Sequence, residues 1–280
     1  IDNTKAIIVT HSEGFVCQMD KIMEIAKKYK LVVIEDCAHA LGAEFKGKRV
    51  GSIGDFGIFS FGYMKHINSL GGGIITTNNE KFADKILQFT GKIQYPSRLN
   101  ILKKYFKVMI VYLFFNTLLF KLITFPLILF FGFFGKDIMS SINEEKRNKK
   151  RKKPEILLFS NIQSKIALKH LKELDFMNKI RFVNYKMLAN SLNKKLEIQS
   201  SEKNTKSAYY NFCFRIKNRE RFRNKLLLKG IDTQRTWLHN CDKKETSPVA
   251  ERLKNEVVYI SPILNKKETD YIIKKITELR

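Results

Sequence analysis

Leu31-Val32-Val33-Ile34-Glu35-Asp36-Cys37-Ala38-His39-Ala40-Leu41-Gly42-Ala43 decides how this chain folds. The stretch opens on an unbroken apolar run, which marks a strand buried on both faces, and closes in small residues and glycine. The strand is expected over Leu31 to Glu35, with Asp36 one residue past it, and in open parallel sheets ligands bind in the crevice beyond the carboxyl ends of the strands. Upstream, Ala6-Ile7-Ile8-Val9-Thr10 is a second buried-strand run, and Ile22, Ile25, Ala26 and Tyr29 recur between the two at helical spacing. The order is β-α-β, so parallel pairing with a right-handed crossover is expected. Downstream, strands at Gly57 to Phe61 and Gly73 to Thr77 flank an irregular stretch around Lys65. A helix from Glu80 to about Phe89 then follows Asn78 and Asn79, either of which can cap it.

The chain has 280 residues, 44% hydrophobic and 28% charged, enough to bury a sizeable core and too apolar for disorder to dominate. Lys and Arg number 52 against 27 Asp and Glu, a formal charge of +25. Anions are therefore the first partners to consider: nucleic acid, acidic lipid or phosphorylated small molecules. Lys far outnumbers Arg and accompanies abundant Ile, Asn and Phe, so part of the charge is compositional drift. Cys17, Cys37, Cys213 and Cys241 show neither metal-ligand nor CxxC spacing, and no signal peptide precedes them, which predicts a reducing cytoplasmic setting. Their simplest reading is as small buried apolar residues.

Ser60 ends the third strand and Lys65 follows in the loop before Gly71-Gly72-Gly73. These glycines precede a strand and not a helix, which rules out a dinucleotide-binding fingerprint. An acid, a hydroxyl and a lysine at strand ends can serve a phosphorylated aldehyde cofactor: the amine condenses with the carbonyl, the carboxylate keeps a pyridine nitrogen protonated, and the hydroxyl takes phosphate. Taken one at a time, Lys65 reads as a solvated charge, Asp36 as a turn residue and His39 as a buried, satisfied histidine. His11, His66, His170 and His239 show no pattern of partners.

Glu35 to Ala43, Gly51-Ser52-Ile53-Gly54-Asp55 and Phe59-Ser60-Phe61 leading to Lys65 resemble the core of the DegT/DnrJ-type (EryC/StrS-like) sugar aminotransferases. His39, Ser60 and Lys65 lie 3, 24 and 29 positions beyond Asp36, in agreement with that family. The likeness continues in Ser160-Asn161-Ile162-Gln163, in Pro248-Val249-Ala250-Glu251-Arg252-Leu253 and in the last helix. It implies an α/β chain of the fold-type I transferases dependent on pyridoxal 5'-phosphate. That fold has a mostly parallel large domain, here N-terminally truncated, and a smaller C-terminal α/β domain.

By the resemblance Lys65 would be the catalytic lysine, and Asp36, His39, Ser60 and Lys65 would hold the cofactor, with no metal. Asp36 would pair with the pyridine nitrogen, His39 would lie near the 3-hydroxyl and Ser60 would bind phosphate. The reaction implied is amino transfer, usually from glutamate, to a keto group of a nucleotide-linked sugar for surface polysaccharide, carried out by a homodimer. The alternative is a catalytically defective relative acting as a membrane-bound scaffold. Two departures motivate it: Gly62-Tyr63-Met64-Lys65-His66 lacks the family's usual flanks, and the N-terminal portion with the remaining phosphate loop and the stacking aromatic is missing. A further departure, Gln234-Arg235-Thr236-Trp237 in place of the family's Arg-x-His-Tyr, bears on sugar recognition and not on the cofactor.

Val108 to Phe134 is almost continuously apolar. As one helix it would run about 40 Å against a hydrocarbon core of about 30 Å. Lys121 would then lie at mid-bilayer at about 2.5 to 3.5 kcal/mol, and Pro126 interrupts the helix. A single crossing would also separate the two halves of one fold. The expectation is a monotopic contact with the cytoplasmic membrane face, Lys121 reaching the headgroups and Lys103, Lys104 and Lys107 facing anionic lipid; a helical hairpin buried at a subunit interface is the other reading. Lipid thereby displaces nucleic acid, for which no recognition motif is present. The expected divisions are 1–100, part of the large domain; 101–138, the apolar insert; 139–155, a basic linker that includes Lys146 to Lys153; 156–192, a connecting helix; and 193–280, the small domain. Ile162, Ile166, Leu168, Leu171 and Leu174 are expected to form one core-facing stripe.

Overall fold

The computed structural model describes residues 3–114, 116–133, 156–235 and 247–279. Strands β1 (Ala6–Thr10) and β2 (Val32–Asp36) flank helix α1 (Met19–Tyr29) and pair in parallel, Ala6 opposite Val32 and Thr10 opposite Asp36. Lys30 ends α1 in the left-handed conformation, and the Leu31 amide still donates to Ala26 O, so Leu31 closes the helix and does not open the strand. This moves β2 one residue beyond its sequence expectation and makes Asp36 its last member. The two-residue strands β3 (Glu44–Phe45) and β4 (Lys48–Arg49) follow as a tight hairpin, and β5 (Phe56–Ser60) then returns beside β2 in parallel, Asp36 opposite Ile58. Strand β6 (Gly73–Thr76) pairs antiparallel with β5, giving the order β1-β2-β5-β6.

One face of this sheet packs on α1: Val9, Val16, Met19, Ala26, Val33, Cys37 and Ala40 form a buried cluster. Behind it, β5 passes so close to the preceding turn that Gly57 is obligatory. A Cβ there would lie 2.3 Å from Gly51 O and 2.5 Å from Gly51 Cα, both backbone atoms that cannot step aside. Gly57→Ala is expected to lose at least about 1 to 3 kcal/mol, read as a lowered denaturant midpoint. A midpoint equal to that of the parent would contradict this packing.

Helix α2 (Glu80–Thr90) starts where expected, with Asn79 Oδ1 accepting the Phe82 amide at 3.2 Å. The apolar region is a broken helix and not one rod: α3 (Arg98–Phe114), the short α4 (Thr117–Leu119), a π-turn from Phe120 to Thr124, and α5 (Phe125–Phe133). Thr124 Oγ1 donates to Phe114 O at 2.7 Å, binding the π-turn back to the end of α3. Among the described residues no helix is long and apolar enough to cross a membrane. Tyr112, Leu113, Leu118, Leu122 and Phe130 are nonetheless exposed. The basic stretch Lys146 to Lys153 lies outside the described residues.

Helix α6 (Asn161–Leu192) opens on a capping box, Ser160 with Gln163, and the Gln163 amide also donates to Gly71 O at 3.0 Å, tying the helix to the glycine loop. The expected stripe is corrected here. Ile162, Leu168 and Leu171 are exposed, and the buried line runs through Gln163, Ala167, Leu174, Arg181, Tyr185, Leu188 and Leu192. The helix presses this line on the loop around Phe61 and Ile67 and then on the second core, turning the more apolar stripe outward.

That second core lies against an antiparallel sheet built from β7 (Glu197–Ile198), β9 (Phe212–Arg215), β10 (Gln234–Arg235) and β11 (Val257–Ile260), ordered β10-β11-β9-β7. Helices α7 (Arg219–Leu228), α8 (Pro248–Glu256) and α9 (Lys266–Glu278) accompany it. Strand β8 (Thr205–Lys206) crosses to pair with β3, so the C-terminal part reaches back to the β3–β4 hairpin and forms with it a separate sheet ordered β4-β3-β8.

Candidate active site

The carboxyl ends of β1, β2 and β5 open on the same side, as parallel pairing requires, and the polar residues gather there. Asp36 is half-buried, and its Oδ1 accepts the Ala38 amide at 3.1 Å. His39 follows in the turn, its ring stacked on Tyr210 with centroids 4.3 Å apart and planes within 8°. Lys65 leaves the loop after Met64, which adopts φ 63°, and carries its Nζ to 5.7 Å from the centroid of the same Tyr210 ring. Ser60, at the end of β5, accepts the Gly62 amide through Oγ at 3.4 Å. Asp36, His39 and Lys65 act on one another electrostatically; among the described residues no hydrogen bond or ion pair joins Ser60 to the three.

Burial pulls the Lys65 ammonium below its ordinary value, against the opposing pull of Glu13 and Asp36. A larger neutral fraction is what an amine needs to attack a carbonyl. Burial first, and then the Lys65 charge, push His39 down to about 4 although Asp36 opposes them, so its imidazole is neutral at neutral pH. His66, next in sequence, is pushed down to about 3, chiefly by burial. The Tyr210 hydroxyl donates to Met64 O, fixing the lysine loop, and burial lifts its phenol to about 12.

Sequence reasoning missed Glu13, Tyr210 and Asn211. Glu13 is buried at the carboxyl end of β1, where the Asn211 amide donates to its Oε2 at 2.7 Å, and burial pushes its carboxyl up. The rule that singled out Asp36 at a strand end applies equally to Glu13. Nothing local announces Tyr210 or Asn211, which arrive from the other core.

His11, Glu35 and Cys37 place three ligand-type atoms within 4.8 Å of one another, all buried. Hydrogen bonds already occupy the first two. Glu35 Oε1 accepts the Ile53 and Gly54 amides at 2.8 and 2.7 Å, Glu35 Oε2 meets His11 Nε2 at 3.2 Å, and His11 Nδ1 accepts the Cys17 amide at 3.2 Å. The trio is a polar brace beneath the site. Cys17, Cys37 and Cys213 are free thiols, and Cys241 and His239 lie outside the described residues.

The site thus offers a nucleophilic amine, a carboxylate able to pair with a protonated ring nitrogen, and a flat neutral imidazole backed by a phenol. This set suits a planar heterocycle carrying a carbonyl. The fold is one shared with solved aminotransferases. Helicobacter pylori PseC, an aminotransferase involved in the biosynthesis of pseudoaminic acid, superposes with a TM-score of 0.70 at 17% identity over 100% of this chain and 67% of its own. Spr1654 from Streptococcus pneumoniae, in its PLP form, gives 0.71 at 17% identity over 99% and 69%. Residues 2–98 match the model of the DegT/DnrJ/EryC1/StrS aminotransferase family. GDP-perosamine synthase from Caulobacter vibrioides is 45% identical over 95 residues, 34% of this chain and 26% of that enzyme. The chain therefore matches about a quarter of the length of that curated relative.

Proposed function

We propose that this chain forms part of an aminotransferase dependent on pyridoxal 5'-phosphate, moving an amino group, from glutamate, to a keto group of a nucleotide-linked sugar for surface polysaccharide. The observation that carries the reading is that His39 and Lys65 both lie against the Tyr210 ring, with Asp36 in electrostatic reach of the two. The family match of residues 2–98, the likeness to GDP-perosamine synthase and the PLP form of a structural neighbour all support it.

When bound, the cofactor supplies an electron sink that stabilises a carbanion next to nitrogen. The rest is the work of the chain. Lys65 Nζ supplies the amine and, once released, carries a proton to and from the substrate carbon. Asp36 keeps a ring nitrogen protonated by offering it a fixed negative charge. His39 would lie near the 3-hydroxyl of the cofactor, and Ser60 would receive its phosphate. Titration of the full chain with pyridoxal 5'-phosphate is expected to raise an absorbance band near the visible edge that depends on Lys65. No binding would leave the defective-scaffold reading, for which the altered flanks of Lys65 speak.

The same reading keeps the divisions 1–100, 101–138, 139–155, 156–192 and 193–280, and a homodimer in which Ile162, Leu168 and Leu171 are covered. Residues 101–138 then form a monotopic contact with an anionic cytoplasmic membrane face. The exposed apolar side chains of α3, α4 and the π-turn, beside Lys103, Lys104 and Lys107, support this in place of nucleic-acid binding. The chain is expected to sediment with vesicles of mixed neutral and anionic lipid and to stay bound in 1 M salt, where the Debye length is about 3 Å. Release by salt would leave only the basic surface as anchor.

A further inference from the structure

Glu13 plays no part in the chemistry above, yet the fold goes to some length to hold it. It lies in a single 3-10 turn, Ser12–Gly14, with φ 55° and ψ 21°, a left-handed conformation uncommon outside glycine. Its side chain is 6% exposed. A carboxyl kept in a costly backbone conformation and out of water calls for a compensating role. The segment 208–211 clamps it: Ala208 N donates to Gly14 O at 2.8 Å, Tyr210 N to Glu13 O at 2.9 Å, and Asn211 Nδ2 to Glu13 Oε2 at 2.7 Å. The same segment lays Tyr210 flat on His39, so the positions of Glu13 and His39 are set by one strand of chain. The remaining oxygen, Oε1, lies 3.8 Å from His39 Nδ1.

We infer that Glu13 is a positioning residue for His39: a small turn of the ring closes this gap, Oε1 accepts the Nδ1 proton, and Nε2 is left as a bare acceptor for a hydroxyl of the bound ligand. The identity of that hydroxyl, the ring hydroxyl of the pyridine cofactor, rests on the function proposed above. Because His39 is neutral at neutral pH, a single tautomer is a meaningful quantity there. The groups within electrostatic reach are Lys65, Tyr210 and Cys213 about Glu13, and Asp36, Lys65 and His66 about His39. The carboxylate is the group among them placed opposite Nδ1 at contact range.

The test is the tautomer of His39, read from ring nitrogen shifts in long-range proton–nitrogen NMR spectra of the full chain labelled with 15N-histidine. His39→Gln assigns the signal among the five histidines. The parent chain is expected to carry the proton on Nδ1. In Glu13→Gln, Asn211 keeps its hold on the side-chain oxygen, so the amide NH2 faces His39 and can only donate; Nδ1 must accept, and the proton moves to Nε2. Glu13→Met, of similar length without polar atoms, is expected to give a mixture of the two forms and serves if the glutamine variant does not fold. A parent chain protonated on Nε2, or a tautomer unchanged in both variants, overturns the inference. Pyridoxal 5'-phosphate added to the same samples separates the two readings. Tautomer reversal without a Lys65-dependent band supports the role of Glu13 and sinks the cofactor assignment. A band with an unmoved tautomer does the reverse.

Discussion

Lys65→Ala is expected to abolish the absorbance band that pyridoxal 5'-phosphate raises in the parent chain and to lower any amino-transfer rate by at least about 10³-fold, the scale on which loss of a covalent group acts. The argument is local. Alanine leaves Asp36, His39, Ser60 and the Tyr210 platform in place, so a phosphorylated pyridine can still enter, and only the attacking amine is gone. Affinity should therefore fall without vanishing, whereas the spectral change vanishes. Lys65 is half-buried and donates no side-chain hydrogen bond among the described residues, so its removal should leave the unfolding midpoint close to that of the parent. Since burial pulls the lysine down, the parent band should form below the pH range of an ordinary lysine. A band of undiminished size in Lys65→Ala would show that the carbonyl meets another amine, and the function proposed for this pocket would fall with it.

The largest effect on stability is expected at Glu35. Its side chain is fully buried, and both carboxylate oxygens are engaged, one by the Ile53 and Gly54 amides and the other by His11. Glu35→Ala strands two backbone donors and an imidazole in a dry interior, and about 3 to 5 kcal/mol is the usual consequence of removing one member of such a pair. Against a total of about 5 to 15 kcal/mol this leaves a marginal fold. Glu35→Gln, which keeps one acceptor oxygen, should lose less, about 1 to 3 kcal/mol. Burial raises the Glu35 carboxyl, but His11 and the Gly51, Gly54 and Ile53 amides outweigh it, so the net shift is downward from 4.5. A carboxyl lowered by folding stabilises fully above its unfolded value, and that contribution is lost as the pH falls through the folded one. Urea midpoints measured from pH 7 downward should therefore drop below about 4.5 in the parent, and the glutamine variant should lose that part of the slope. Equal slopes would remove Glu35 from the acid sensitivity.

Much of this was legible in the residues themselves. Ala6 to Val9 and Leu31 to Ile34 are apolar runs with a helical period between them, and the parallel crossover they announced is present; the burial expected of the first run is corrected, since Ala6, Ile8 and Thr10 are exposed on β1, the edge strand of the described sheet. Asp36 followed from the rule about strand ends. Glu13 obeys the same rule, but its strand stops at a histidine and a serine, with no run of small residues to draw the eye. Tyr210 and Asn211 were illegible for a different reason: what they do depends on β8 crossing to β3 and on the clamp at Glu13 and Gly14, which are tertiary contacts with no local periodicity. The stripe on α6 failed because hydrophobic spacing says which residues share a face and not which face the neighbours occupy. Gln163, a polar residue, faces inward since the Gly71 carbonyl awaits it.

The bond between Glu13 and Asn211 joins positions 198 apart in the sequence. Chains emerge from the ribosome at about 5 to 20 residues per second, so β1 and its turn are exposed for on the order of ten seconds or more before Asn211 exists. During that interval Asp36, His39 and Lys65 can already lie on a folded β-α-β unit, but the ring that joins His39 to Lys65 has not been made. The site is consequently assembled only after three quarters of the chain has been made, and a shorter chain lacks the ring that holds His39 and Lys65 together. Competence to bind a ligand at Lys65 then reports that synthesis has passed residue 211.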